Sequence, residues 1–259
     1  FKKFFDYLAS FPRFKKKSYQ AVKLYFPKNN KGDWTIWRHK LMVPTLKQVR
    51  LKEFGYLPVG AVVISGTVSY VAGRFYVSIV VDIDEKSKHN KDLETSYRTA
   101  TDGIGIDLGI KDLAVVSDGR KFKNINKSSK VKRLEKRLRR EQRCLSRKYE
   151  SKKKKGGKIA TASANIEKQK LKVQKLHQRI KQIREDYENK VIHEIVKQKP
   201  RFITVEDLNV KGMMKNRHLA KAVAAQRFNC LLTKLKHKAE IIGIEVHMVD
   251  RFYPSSKTC

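Results

Sequence analysis

The stretch "GIGIDLGIKDLAVVSDG", residues 103–119, decides the fold. Ile104 and Ile106 alternate with small or polar residues, and Leu113–Val116 form a second apolar run. Between them lie Asp107, a glycine and Lys111-Asp112, which reads as two short strands joined by a tight turn that Lys111 and Asp112 shape. Asp107 closes an apolar strand, where a carboxylate has no packing role. A side chain at the C-terminal end of such a strand stands at the rim of a sheet, where ligand sites of α/β proteins collect.

The chain downstream continues the pattern. Residues 103–125 give two or three strands in meander order. From Lys127 to Lys155 there are fifteen Lys and Arg against three Glu, with Val131, Leu134, Leu138 and Leu145 at helical spacing. "SKKKKGGKIATAS" breaks this helix, and Ile166, Val173, Leu176, Ile180, Ile183 and Tyr187 mark a second one that stops before Pro200. Two seams and a short break predict an antiparallel helical hairpin over 127–199. "RFITVEDLNV", residues 201–210, is another apolar strand ending in carboxylates, Glu206 and Asp207. "HLAKAVAAQRFNCLLTKLKHKAEIIG" reads as one amphipathic helix closing near Gly243, and "IEVHMVD" as a strand ending at Asp250. This order is an α/β pattern.

Upstream, "AVVISGTVSYVAGRFYVSIVVDI", residues 61–83, reads as two strands around a turn near Ala72-Gly73. With "TIWRHKLMVPTLKQVRL" it predicts antiparallel strands in a small barrel or sheet. Phe11, Phe14, Tyr19, Tyr25 and Phe26 are interleaved with Lys and Arg. Such aromatics either stack on bases or fill a core, and the sequence leaves both readings open. Residues 84–102 are polar and read as a linker.

Charge restricts the partners. Sixty Lys and Arg against 25 Asp and Glu leave a formal net charge of +35, far above the ~2–8 charges that solubility needs. Such a field suits a polyanion, most commonly nucleic acid. Fifteen cations against three acids on one helix are not neutralised by i,i+4 pairing, so an external anion accounts for them better than a solvated coiled coil. No run approaches the ~20 apolar residues of a membrane span, so no membrane partner is expected. Three scattered cysteines, Cys144, Cys230 and Cys259, make no disulfide framework and point to a reducing cytoplasm. Phe1 in place of Met suggests that the sequence starts inside a longer protein.

Asp107 and Glu206 each end an apolar strand. On neighbouring strands they would lie within reach of one cation, and oxygen donors suit Mg²⁺ or Mn²⁺. Two such ions ~3.5–4 Å apart can activate water and stabilise the leaving oxygen of a phosphodiester. A strand-end Asp is also a common turn former or helix cap. Composition and spacing leave both roles open.

The motifs just quoted resemble the TnpB family of transposon-encoded RNA-guided nucleases, related to the compact type V CRISPR effectors. "GIDLGIKDLAVVSDG" resembles the family's first RuvC motif, and "ITVEDLNVKGMMKN" followed by "LAKAV" its second. "VDRFYPSSKTC" resembles the opening of its zinc-binding loop, "FPRFKKK" an upstream motif, and "RLEKRLRREQRCLSRK" and "KLHQRIKQIREDYENK" its helical hairpin. The resemblance implies an RNase H-like (RuvC) α/β domain over 96–250 carrying the basic hairpin 127–199. Part of a small wedge-like β-barrel would precede it over 1–95, and a truncated zinc loop would follow over 251–259. It implies Asp107 and Glu206 as the catalytic acids holding Mg²⁺ or Mn²⁺, and Cys259 as the first of four Zn²⁺ ligands, the other three being absent along with the family's third acid. Asp250 is not used by the family pattern, and Asp207 is expected to orient or cap.

The implied partners are a transposon-end guide RNA and double-stranded target DNA, in the prokaryotic cytoplasm and associated with the nucleoid. Arg13, Lys15, Lys16, Arg133, Arg137, Arg140 and Arg147 are the expected phosphate contacts. Two alternatives to an RNA-guided endonuclease remain at this point: a cleavage-deficient RNA-guided repressor, and an RNase H-like transposase working without a guide. Oligomeric state is not legible in the sequence.

Overall fold

In the computed structural model, residues 2–8, 10–11, 22–53, 55, 62–82, 103–154 and 163–250 are described. The chain divides into two compact units, Phe1–Lys88 and His89–Cys259.

The first unit opens on a single helical turn, α1 (Lys2–Phe5), followed by β1 (Val22–Pro27), β2 (Lys40–Val43), β3 (Lys47–Arg50), β4 (Val62–Val71) and β5 (Arg74–Asp82). Strands β1, β4 and β5 form a three-stranded antiparallel sheet with β4 in the middle, and β2 and β3 form a separate hairpin. The β4–β5 turn falls where the sequence predicts it, with Ala72 (φ 51°) and Gly73 (φ 82°) both left-handed, as a two-residue type I′ hairpin requires. Trp34, Leu41, Val43 and Val63 form the core. The Trp34 ring packs against Gly66, where the missing Cβ makes room for the indole. Of the interleaved aromatics, Phe26 packs into this core edge-on to Trp34 at 6.5 Å, while Tyr25 and Phe11 are exposed. Phe14 and Tyr19 lie outside the described residues, as does the 84–102 linker.

The second unit is a mixed α/β domain. Its strands are β6 (Ile104–Leu108), β7 (Asp112–Val116), β8 (Lys121–Lys123), β9 (Phe202–Glu206) and β10 (Glu245–Val249). The sheet order is β10-β9-β6-β7-β8. The meander β6–β7–β8 is antiparallel, while β9 and β10 run parallel to β6. A parallel return needs a crossover. Here it contains a 3-10 turn (Ile125–Lys127), α2 (Ser129–Lys154) and α3 (Ala164–Val196). After β9 come α4 (Val210–Lys215), α5 (Ala220–Gln226) and α6 (Phe228–Ile242).

Ile104, Ile106, Leu108, Ile203 and Val205 point to one face of this sheet and are buried with Val191, Ile192, Ile195 and Val196 of α3 and Phe228, Leu231, Leu235 and Ala239 of α6. The hairpin is antiparallel: Glu135 meets Arg184, Gln142 meets His177 and Lys148 meets Asn165. Its seam is Leu134, Leu138, Leu145, Val173, Leu176 and Ile180, the residues whose spacing predicts it.

One expected element is corrected. The run 218–243 forms two helices, broken at Arg227, which is left-handed (φ 56°, ψ 39°). The break carries its guanidinium to α3, 3.1 Å from Glu185 and 3.4 Å from Glu188, and Lys234 also meets Glu188 at 3.1 Å. Glu188 is only 3% exposed. Burial alone would loosen the proton of Arg227, but Glu188 and Glu185 reverse that and its pKa is raised. Isolated buried charges are costly, so this closed cluster ties α6 to α3.

The β7–β8 turn is fastened to the end of α3 by Arg120. It donates to Asp118 Oδ2 (2.6 Å), to the Glu194 carbonyl (2.9 Å) and to Gln198 Oε1 (2.7 Å). The Asp118 carboxyl is held below its ordinary value of 3.8, first by the Arg120 hydrogen bond.

Two outcomes are expected. Gly66→Ala forces a methyl into the Trp34 ring and should destabilise the chain by about 1–3 kcal/mol in urea titration. Asp118→Asn should cost at most ~1 kcal/mol at neutral pH, because the pair is partly exposed. A carboxylate with a lowered folded pKa stabilises above its unfolded value. The difference between wild type and Asp118→Asn should therefore shrink as pH falls below 3.8 and vanish under the folded pKa.

Candidate nucleic-acid and metal site

Strands β6 and β9 are direct neighbours. Their parallel register pairs Ile104 with Ile203, Gly105 with Thr204 and Ile106 with Val205. One further step of that register sets Asp107 beside Glu206. Parallel neighbours in register point to the same face, and adjacent strands lie about 4.8 Å apart. Asp107 and Glu206 are both exposed, while Ile106 and Val205, one residue earlier, are buried on the opposite face. The alternation that buries the isoleucines thus turns both acids outward, side by side.

This face is open at Gly105 and covered at Gly103. Gly103 and Gly105 precede Asp107 on the same side of β6; a Cβ at Gly103 would enter the Phe202 ring, whereas one at Gly105 would meet only Ser117, 3.8 Å away. On β10, Val249 pairs with Glu206 and His247 with Thr204. The residue of β10 that shares the Glu206 face is therefore Val249. Asp250 follows one position later, out of phase. The Asp207 amide donates to the Val249 carbonyl at 3.0 Å, which fixes the chain just beyond Glu206. Among the described residues no three His, Cys, Asp or Glu side chains cluster as a ready metal cage. The Asp107–Glu206 pair offers hard oxygen donors, the chemistry that Mg²⁺ and Mn²⁺ select.

The turn after β6 is held from outside. Lys111 gives its carbonyl to Lys127 Nζ at 3.1 Å, and Asp112 opens β7 opposite Lys123. The carbonyls of Gly109 and Ile110 accept from Gln226 and Asn124, both at 2.8 Å. Sequence reading missed Asn124, Lys127 and Gln226. No spacing marks them, because they come from two segments about a hundred residues apart.

The hairpin carries thirteen Lys and Arg on α2 against three Glu. Two of the three acids face the seam. Glu135 pairs with Arg184 at 3.1 Å, and Glu141 accepts from Gln169 at 2.7 Å. That bond is the main reason the Glu141 carboxyl is held below its ordinary range, with Lys172, Arg140 and Arg137 adding to it. Arg184 is shifted down by burial, which Glu135 only partly offsets. Arg133, Arg137, Arg140 and Arg147 are all exposed, and none is within ion-pair distance of a carboxylate among the described residues. Beside them, Arg139, Gln142, Arg143, Ser146 and Arg147 line a shallow groove. Apolar seam and inward acids leave a cationic arc that only an outside anion can balance. Arg13, Lys15, Lys16 and Cys259 lie outside the described residues. Among the described residues no helix is long and apolar enough to cross a membrane.

The OrfB_IS605 family model, described as "Probable transposase", matches residues 78–217. A "Putative RNA-guided DNA endonuclease" of Streptomyces pristinaespiralis is 29% identical over 262 aligned positions, covering 100% of this chain and 58% of that protein. The "Putative RNA-guided DNA endonuclease InsQ" of Escherichia coli (strain K12) is 33% identical over 83% of this chain and 47% of its own length. The chain thus spans about half the length of these curated relatives. Two cryo-EM structures overlap it at a TM-score of 0.39: a CRISPR-Cas12f ternary complex (15% identity, 77% of this chain, 37% of that one) and a Cas12f1-sgRNA-target DNA complex (12%, 96% and 60%).

Replacing Arg133, Arg137, Arg140 and Arg147 together by Gln should flatten the salt dependence of polyanion binding. At ~0.9 per phosphate contact on duplex DNA, the log–log slope should fall by roughly 3 to 4. Fluorescence anisotropy across a salt series measures it.

Proposed function

Because this chain belongs to the OrfB_IS605 family, we propose that it forms the nuclease core of an RNA-guided DNA endonuclease of a transposable element. The observation that carries the reading is the parallel pairing of β6 with β9, which ends at Ile106–Val205, so that the next residue on each strand is an exposed acid, Asp107 and Glu206. The same unit carries the arginine arc of α2. One feature supplies acids for a divalent cation and the other holds the phosphates of a nucleic acid.

In this reading the second unit is an RNase H-like (RuvC) domain. The sheet order, with an antiparallel meander on one side and two parallel returns on the other, supports that assignment. Asp107 and Glu206 are the acids that hold Mg²⁺ or Mn²⁺. When bound, such an ion lowers the pKa of water and stabilises charge on the leaving oxygen of a phosphodiester. The chain's own contribution is to hold two carboxylates on a rigid central sheet. Gly105 of β6 leaves space beside them, and the hairpin draws the phosphate backbone to the unit. The partners are a guide RNA, bound largely through phosphates and shape, and a double-stranded DNA target. The first unit, a wedge-like β domain, contributes Tyr25, exposed on the same face of β1 as Lys23, a pairing suited to stacking on unpaired bases.

The test is cleavage of matched DNA by the full-length protein with its guide RNA in Mg²⁺. Asp107→Ala and Glu206→Ala should each reduce cleavage by more than the roughly 100-fold typical of losing an outer-shell partner, with RNA affinity unchanged. Cutting at the wild-type rate by Asp107→Ala would sink the reading. Cutting that survives complete removal of RNA would point to a guide-independent transposase.

A further inference from the structure

The segment between Asp107 and β7 is held by side chains to an unusual degree. Three successive carbonyls, Gly109, Ile110 and Lys111, each accept a hydrogen bond from a side chain brought in from elsewhere: Gln226, Asn124 and Lys127. Gln226 is 3% exposed and Asn124 is 8% exposed. Both are fully engaged. Asn124 Oδ1 accepts from the Asn126 amide at 2.9 Å, and Gln226 Oε1 accepts from Asn126 Nδ2 at 3.3 Å. Asn126 also donates to the Ala225 carbonyl (3.1 Å) and accepts from Arg184 Nε (2.7 Å), which pairs with Glu135. A continuous hydrogen-bonded chain therefore runs from the hairpin helices to Gly109, two residues past Asp107.

The ladders explain why such a brace matters. The β6–β9 pairing ends at Ile106–Val205, and the β6–β7 pairing ends at Leu108–Ala114. Asp107 is paired with Val115 of β7, one step past the last β6–β9 pair, and the chain leaves the sheet after Leu108. Beyond Leu108 the end of β6 is held by one backbone bond, from the Gly109 amide to the Leu113 carbonyl at 3.3 Å, and by the side-chain bonds to 109–111. Buried amides with every group satisfied hold one geometry, because any displacement strands a polar atom away from water.

We propose that Gln226 and Asn124 are positioning residues that fix Asp107 against Glu206 for a divalent cation. The proposal rests on the assignment of Asp107 as a metal-holding acid. Outer-shell partners of metal ligands typically matter 10–100-fold for affinity or activity. Neither residue reaches the cation itself; each acts through the backbone of the turn.

The test uses the full-length protein and Mn²⁺ alone, with free Mn²⁺ read by electron paramagnetic resonance. Gln226→Met keeps the volume and removes both hydrogen-bonding atoms. Asn124→Ser keeps an oxygen to cap the 3-10 turn but does not reach Ile110. Each variant should bind Mn²⁺ about 10-fold more weakly, and half-maximal cleavage should need correspondingly more metal, with the KM for DNA unchanged. A merely structural role would lower the thermal midpoint and leave Mn²⁺ affinity alone. Wild-type affinity in folded Gln226→Met and Asn124→Ser overturns the proposal. Should Gln226→Met fail to fold, Asn124→Ser decides alone. Asp107→Asn is the reference. If it too binds Mn²⁺ like the wild type, the metal assignment of Asp107 itself is wrong, a failure distinguishable from failure of the brace alone.

Discussion

The parallel pairing of β6 with β9 is the constraint on which the second unit depends. Ile104, Ile106, Ile203 and Val205 are almost completely buried on one face of the sheet. At about 25 cal/mol per Å² of apolar surface, burial of these four side chains and their partners on α3 and α6 is the main term holding the unit together. Side chains alternate with a period of two, so slipping the register by one would expose this core and bury Asp107 and Glu206. The forces that fix the fold therefore also fix the spacing of the two acids.

A parallel return between adjacent strands demands a long excursion, and this chain uses it for the basic hairpin. The seam of Leu138, Val173, Leu176 and Ile180 holds the two helices together. Two of the three acids of α2 are spent on contacts within the hairpin, Glu135 with Arg184 and Glu141 with Gln169. The two helix faces divide the work: one packs, the other stays positively charged. The base of α3 meanwhile joins the sheet core through Val191–Val196 and grips the Arg227–Glu188–Lys234 cluster. Hairpin and sheet are one mechanical body within this unit, linked again through Arg184 and Asn126.

Much of this was legible in the chain. Strict alternation in 103–108 and 201–206 gave the strands and their outward acids; leucine spacing gave the hairpin; the left-handed pair Ala72-Gly73 gave the first unit's turn. The helix over 218–243 was misread as continuous. Arg227 is a good helix former, and its left-handed conformation goes with a guanidinium held by Glu185 and the buried Glu188 of another helix. In the first unit, Phe26 joins the Trp34 core and Tyr25 does not, although both stand among cations. Adjacent residues on a strand face opposite ways, and which face is inside depends on where Trp34 packs.

The sequence by itself determined the elements, the polyanion-seeking charge and the two candidate acids, because these follow from periodicity and composition along one dimension. Tertiary structure alone decided that β6 and β9 are neighbours in a register that places Asp107 next to Glu206, and that Asn124, Lys127 and Gln226 converge on residues 109–111. The strand pairing and the Gln226 contact join segments about a hundred residues apart, and Asn124 and Lys127 reach back across about fifteen. They are selected by the joint burial of the sheet core and the need to satisfy buried amides, and neither requirement leaves a local pattern in the chain.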